Sequence, residues 1–74
     1  MKKLFIKIDL DTCYDVVLYC IDNNKVSTNM IQSHFGFGYD KVNKIMKILS
    51  KKGIITKDKK IIPKDKEELL NMLR

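Results

Sequence analysis

The sequence is poor in the residues that most often build metal centres, disulfide frameworks and catalytic triads. It contains one histidine, two cysteines and no tryptophan among 74 residues. Cys13 and Cys20 are seven positions apart within one predicted helix. Two helical turns place their Cα atoms roughly 10 Å apart, whereas a disulfide spans at most ~7 Å. His34 therefore lacks the additional ligands of a zinc site and the partners of a catalytic triad. We expect two reduced core cysteines, no metal, no cofactor and no enzymatic activity.

Long apolar runs and flexible segments are also scarce. Three glycines and one proline are too few for a linker or a low-complexity chain. The longest apolar run, 16–21, falls far short of the ~18–20 residues that a membrane span needs. The chain begins with two lysines and an apolar run, but Lys7 and Asp9 interrupt this run too early for a secretory signal. We therefore predict a soluble cytoplasmic protein with no membrane partner, folded as one domain over residues 1–74.

Positive charge is abundant and concentrated in one third of the chain. The formal net charge is +6, and the segment 40–66 contains ten lysines against three aspartates. Clustered positive charge favours an anionic partner, and nucleic acid is the most common one. The alternative is a well-solvated, lysine-rich surface without a partner.

The periodicity of apolar residues predicts three helices in the first two thirds of the chain. The first runs from a cap at Asp9 or Asp11 to about Asp22, and the second begins at Ser27 or Thr28. The turn 36–38 separates the second helix from a third, which spans 39–51 and ends at a left-handed Gly53. Two short β-branched runs, 54–56 and 61–63, then predict a hairpin with a basic tip.

This order of elements predicts a mainly α-helical protein with a small β-hairpin wing, which is a winged helix-turn-helix fold. The core of the fold would cover residues 11–63. Alternating residues in 1–10 predict an additional N-terminal strand, and a capping box followed by leucines predicts an additional C-terminal helix over 64–74. Because so small a core cannot bury both apolar faces, we expect these two elements to form a homodimer.

The third helix has the amphipathic pattern of a DNA-recognition helix. With Val42, Ile45 and Leu49 buried, its opposite face carries lysines and one asparagine, which suit phosphates and base edges in the major groove. The first turn of the second helix and the hairpin tip would contact the phosphate backbone. Tyr39 either contacts a phosphate through its hydroxyl or packs beneath the helix. The predicted DNA-binding residues are Ser27, Thr28, Tyr39, Lys41, Asn43, Lys44, Lys47, Lys57, Lys59 and Lys60.

From Asp11 onward the chain resembles the gamma domain of the FtsK/SpoIIIE DNA translocases. The resemblance covers about 45 residues. It runs through 11–15, 26–28, 31–32 and Phe35, is strongest in 37–46, and continues at 53–55. Its most specific element is the spacing of Gln32, Phe35, Gly38 and Tyr39. The resemblance implies a winged helix that reads double-stranded DNA. The chain departs from the family by carrying Asp40 in place of an asparagine and lysines in place of two recognition-helix arginines.

A free-standing, dimeric, lysine-rich winged helix also resembles, in size and architecture, the TubR-like centromere-binding adaptors of plasmid and phage partition systems. Both resemblances imply binding at repeated sites during DNA segregation, with a filament-forming or motor NTPase as a partner and a nucleoid- or plasmid-associated location. The alternatives are a transcriptional repressor of a mobile element and a protein-interaction adaptor that docks a partner on its C-terminal leucines.

Overall fold

A computed structural model describes residues 8–73 of the chain, and this part is mainly α-helical. Its helices are α1 (Leu10–Asn23), α2 (Thr28–Phe35), α3 (Tyr39–Lys51) and α4 (Lys66–Leu73). The helical content and the predicted C-terminal helix are therefore confirmed. The predicted N-terminal strand lies almost entirely outside the described residues, and its last residue, Leu10, begins α1.

Side-chain caps explain where α1 and α2 begin. The Asp9 carboxylate accepts hydrogen bonds from the Thr12 backbone N–H at 2.8 Å and from the Thr12 hydroxyl at 2.6 Å. The Ser27 hydroxyl accepts one from the Met30 backbone N–H at 3.3 Å. Each cap satisfies a donor that has no partner inside the helix, so these local residues determine both starting points.

A three-residue turn places α3 directly after α2. Gly36 ends α2 in the left-handed region with φ of 70°, and its N–H donates to the Gln32 carbonyl. Gly38 caps α3 with extended backbone and without a side-chain hydrogen bond. The two helices pack against each other, so the turn brings a short helix and a basic helix into a helix–turn–helix pair.

The predicted β-hairpin wing is wrong, and the winged helix-turn-helix assignment is wrong with it. Within residues 8–73 there is no β-strand; Ile55 and Ile61 form a single antiparallel bridge. Ile54 and Ile55 are both buried, so this segment packs as a buried apolar loop and does not alternate between two faces. The Ile62 N–H still donates to the Ile54 carbonyl at 2.9 Å, but Pro63 has no N–H, which limits the pairing beyond this point.

The core lies where the four helices and the 54–55 segment meet. All of its buried side chains are apolar or cysteine, and no charged or polar residue of the described part is buried. Both cysteines lie in this core as free thiols, as predicted. The core residues are Cys13, Val16, Val17, Cys20, Val26, Ile31, Val42, Ile45, Leu49, Ile54, Ile55, Leu69 and Leu73.

Helix α4 closes this core from the C-terminal side. Asp65 accepts a hydrogen bond from the Glu68 backbone N–H at 3.0 Å, and the Glu68 carboxylate accepts one from the Lys64 backbone N–H at 2.8 Å. The first bond is the N-cap half of the predicted capping box, whereas the Glu68 carboxylate reaches the N–H of the residue before the cap and not that of Asp65 itself. The helix packs against α1 and buries Leu69 and Leu73, so most of its apolar face is covered by its own chain.

Candidate nucleic-acid interface

The two faces of α3 differ sharply in character. Val42, Ile45 and Leu49 are buried, whereas Lys44 and Lys47 are exposed to solvent. The burial pattern follows the 3.6-residue period on which the sequence prediction depended. The outer face of α3 is therefore a free basic surface on the described part of the chain.

A groove joins this outer face to the loop that follows α3. It has a volume of about 340 Å³, and its α3 side consists of Asn43, Met46, Lys47 and Ser50. The other side consists of residues 55–57 together with Lys59. We call this the α3 groove. It brings together four predicted DNA-binding residues that are separated by up to 16 positions in sequence, namely Asn43, Lys47, Lys57 and Lys59.

A tight reversal of the backbone, the 56–60 turn, presents the loop lysines. The Thr56 N–H donates to the Lys60 carbonyl at 3.0 Å, and the Lys60 N–H donates to the Thr56 hydroxyl at 3.1 Å. The Lys59 N–H donates to the Thr56 carbonyl at 2.9 Å. These three bonds fix the turn without a strand pair, so the basic tip predicted for a wing is present on a simple turn.

A second groove lies beside residues 59–61, at the C-terminal end of the same turn. It has a volume of about 330 Å³ and is lined by Lys59, Lys60 and Ile61 on one side and by residues 24–26 on the other. We call this the Lys25 groove. Lys59 lines both grooves. Sequence reasoning missed Lys25, because it lies in a short connection before α2 and only tertiary packing places it beside the turn.

Lys41 differs from the other lysines of α3. Its ammonium lies 4.0 Å from the centroid of the Phe37 ring, which is a cation–π contact. Phe37 in turn stacks on Phe35, with 5.2 Å between ring centroids. Lys41 is also only partly exposed. The structure thus holds Lys41 against the turn between α2 and α3, where it lines neither groove.

The remaining predicted residues lie along the α2–α3 pair. Ser27 uses its hydroxyl to cap α2, and Thr28 is the first residue of that helix; both are partly exposed. Tyr39 opens α3 with 63% of its surface exposed, so it does not pack beneath the helix. Lys44 is exposed on α3. These four residues line neither the α3 groove nor the Lys25 groove.

An aromatic cluster on α1 and α2 was not predicted from the sequence. The rings of Tyr19 and His34 stack with centroids 4.0 Å apart and planes inclined by 15°. Phe35 meets both rings edge-on, at 5.5 Å and 4.8 Å. A signal was available in hindsight, because aromatic residues flank the turn at positions 34, 35, 37 and 39. The cluster fixes α2 against α1 and leaves the basic surface to α3 and the 56–60 turn.

Among residues 8–73, no helix is long and apolar enough to cross a membrane, and no group of three or more His, Cys, Asp or Glu side chains is placed to hold a metal ion. No family model matches this chain, and neither the curated proteins nor the solved structures yield a match.

Proposed function

We propose that this protein binds double-stranded DNA, with α3 in the major groove and the 56–60 turn on the adjoining backbone. The observation that carries the proposal is the α3 groove, where Asn43 and Lys47 of the helix face Lys57 and Lys59 of the turn. One asparagine and three lysines, from two separate parts of the chain, line this one groove. A solvated lysine surface without a partner would not require these residues to share one groove.

The dimensions and chemistry of α3 suit the major groove. An α-helix with its side chains is ≈ 10–12 Å across, and the major groove of B-form DNA is ≈ 12 Å wide. The Asn43 side chain has both a donor and an acceptor, the combination that recognises adenine in that groove. Lys44 and Lys47 extend from the same helix toward phosphates or the acceptor atoms of guanine.

The remaining lysines fit the phosphate backbone. Lys57, Lys59 and Lys60 are exposed on the 56–60 turn, and their flexible ammonium groups act as point charges without sequence preference. Lys41 is not assigned to base reading in this proposal, because its ammonium lies on the Phe37 ring. Its expected contribution is to stabilise the turn that orients α3.

The direct test measures binding to a labelled duplex by fluorescence anisotropy at several salt concentrations. With five to seven phosphate contacts, the logarithm of the association constant should fall against the logarithm of salt concentration with a slope of about −5 to −6. Lys47→Gln should reduce the affinity several-fold at about 0.1 M salt. The matched control is Lys66→Gln, which removes the same charge from an exposed residue lining neither groove. A slope near zero, or equal effects of the two variants, would refute the proposal.

Selection of bound duplexes from a random library tests whether the contact is sequence-specific. We propose that the protein reads a DNA site through Asn43 and Lys44 and acts in DNA segregation, as the resemblance to translocase gamma domains implies. Enrichment of a motif that recurs in tandem would support this role and binding as a dimer at repeated sites. An isolated palindrome would favour a repressor, and no enrichment would exclude a sequence reader.

The protein-interaction adaptor is the less favoured alternative, because the leucine surface that it requires is largely buried. It required an exposed stripe of C-terminal leucines, but Leu69 and Leu73 are buried against the rest of the chain. Leu70 alone remains, 42% exposed. Because these leucines are buried within their own chain, α4 no longer supports the expectation of a homodimer. The DNA-binding proposal is favoured because its surface is free.

A further inference from the structure

The Lys25 groove has the character of an anion site. Three of its lining residues are lysines, namely Lys25, Lys59 and Lys60, and the others are Asn24, Val26 and Ile61. Among the residues that the structure describes, no carboxylate lines it, although Asp58 belongs to the same turn. Like charges gathered around one concave surface repel each other, and a bound anion relieves that repulsion. The groove is therefore better suited to a negatively charged ligand than to solvent alone.

The backbone of Lys59 supports this interpretation independently of charge. Its φ is +61°, in the left-handed region, which disfavours a residue with a side chain such as lysine. Glycine or asparagine would satisfy such a turn at lower cost. Lys59 lines both grooves. A residue type that this backbone conformation disfavours therefore occupies the one position common to the two grooves.

We propose that the Lys25 groove binds a backbone phosphate of the same DNA duplex that α3 contacts. The inference rests on the proposed function and extends it to a second phosphate site, which includes Lys25 and lies before α2. Each strand of B-form DNA presents a phosphate about every 3.4 Å along the axis, so adjoining grooves that share Lys59 can be reached by one duplex. DNA would then be held by both limbs of the 56–60 turn, and the interface would extend from α3 to the α1–α2 connection.

The experiment compares the salt dependence of duplex binding by Lys25→Gln, Lys47→Gln and Lys66→Gln. If Lys25 contacts a phosphate, the slope of Lys25→Gln should be smaller in magnitude by about 0.9 than that of the unmodified protein. Lys66→Gln should keep the full slope, since Lys66 is an exposed lysine outside both grooves. Thermal unfolding of each variant, followed by circular dichroism, verifies that the fold is intact.

The outcomes separate the inference from the proposed function. A full slope for Lys25→Gln combined with a reduced slope for Lys47→Gln would overturn the second phosphate site and leave DNA binding by α3 standing. Absence of duplex binding by the unmodified protein would overturn both. A duplex RNA of the same length serves as a parallel probe. If Lys25→Gln changes the slope for RNA and not for DNA, the groove does not hold the phosphate of a DNA duplex.

Discussion

Replacing Leu69 by alanine should destabilise the protein far more than the same replacement at the next residue, Leu70. Both residues lie in α4, so the two substitutions share their chemistry and nearly share their helix position. Leu69 has no exposed surface and packs in the core, whereas Leu70 is 42% exposed. The comparison thus separates the stability that comes from packing of α4 from the stability that comes from helix propensity.

The magnitude follows from burial. A buried Leu→Ala substitution costs about 2–5 kcal/mol, because transfer free energy is lost and a cavity remains. We expect about 3 kcal/mol for Leu69→Ala and under about 1 kcal/mol for Leu70→Ala. A chain of this size has a free energy of unfolding of roughly 4–11 kcal/mol. Leu69→Ala should therefore lower Tm by about 12–24 °C, from a conversion of about 4–8 °C per kcal/mol.

Urea denaturation followed by circular dichroism measures both free energies of unfolding. The midpoint should fall strongly for Leu69→Ala with an unchanged m-value, since the same surface is exposed on unfolding. Repeating the series at different protein concentrations tests whether α4 is stabilised within its own chain, because a dimer contact would make the midpoint concentration-dependent. Equal destabilisation by the two variants would refute the burial of Leu69 in the core.

Two further predictions concern groups near α1. Hydrogen bonds from the Thr12 side chain and backbone lower the pKa of Asp9 below its ordinary value, so the stability that its charge contributes is present above the ordinary pKa and is lost as pH falls through the lower folded pKa. Asp9→Asn should therefore show a flatter dependence of Tm on pH between about 5 and 2, and identical profiles would contradict this. Burial raises the pKa of Cys20 to about 11, so its thiol should react with a maleimide at about pH 8 only after unfolding in urea. Rapid labelling of the native protein, detected by mass spectrometry, would contradict the burial of this residue.

The positions of the helices are encoded locally and could be predicted. The third helix was predicted over 39–51 and is observed at Tyr39–Lys51, and the capping residues Asp9, Ser27 and Asp65 mark the starts of α1, α2 and α4. Caps and helical periodicity involve residues three or four positions apart, so a single sequence carries their full signal. The basic outer face of α3 follows from the same periodicity.

The segment after α3 shows where local reasoning fails. Two β-branched runs joined by a basic connection predicted a hairpin, but the chain forms one bridge between Ile55 and Ile61. Strand pairing depends on burial and on partners distant in sequence, and here the burial of both Ile54 and Ile55 in the helical core takes precedence over alternation. β-propensity therefore indicated the correct apolar residues and the wrong architecture.

Sequence alone thus determined the helices, the reduced cysteines and the concentration of lysines between 40 and 66, because composition and short-range spacing carry these properties. Tertiary structure decided which lysines lie beside one another. It placed Lys41 on the Phe37 ring, set Lys47 and Lys59 along one groove, and brought Lys25 to the second groove. These arrangements join residues far apart in the chain, and only the packing of α3, the 56–60 turn and the α1–α2 connection around a common core creates them.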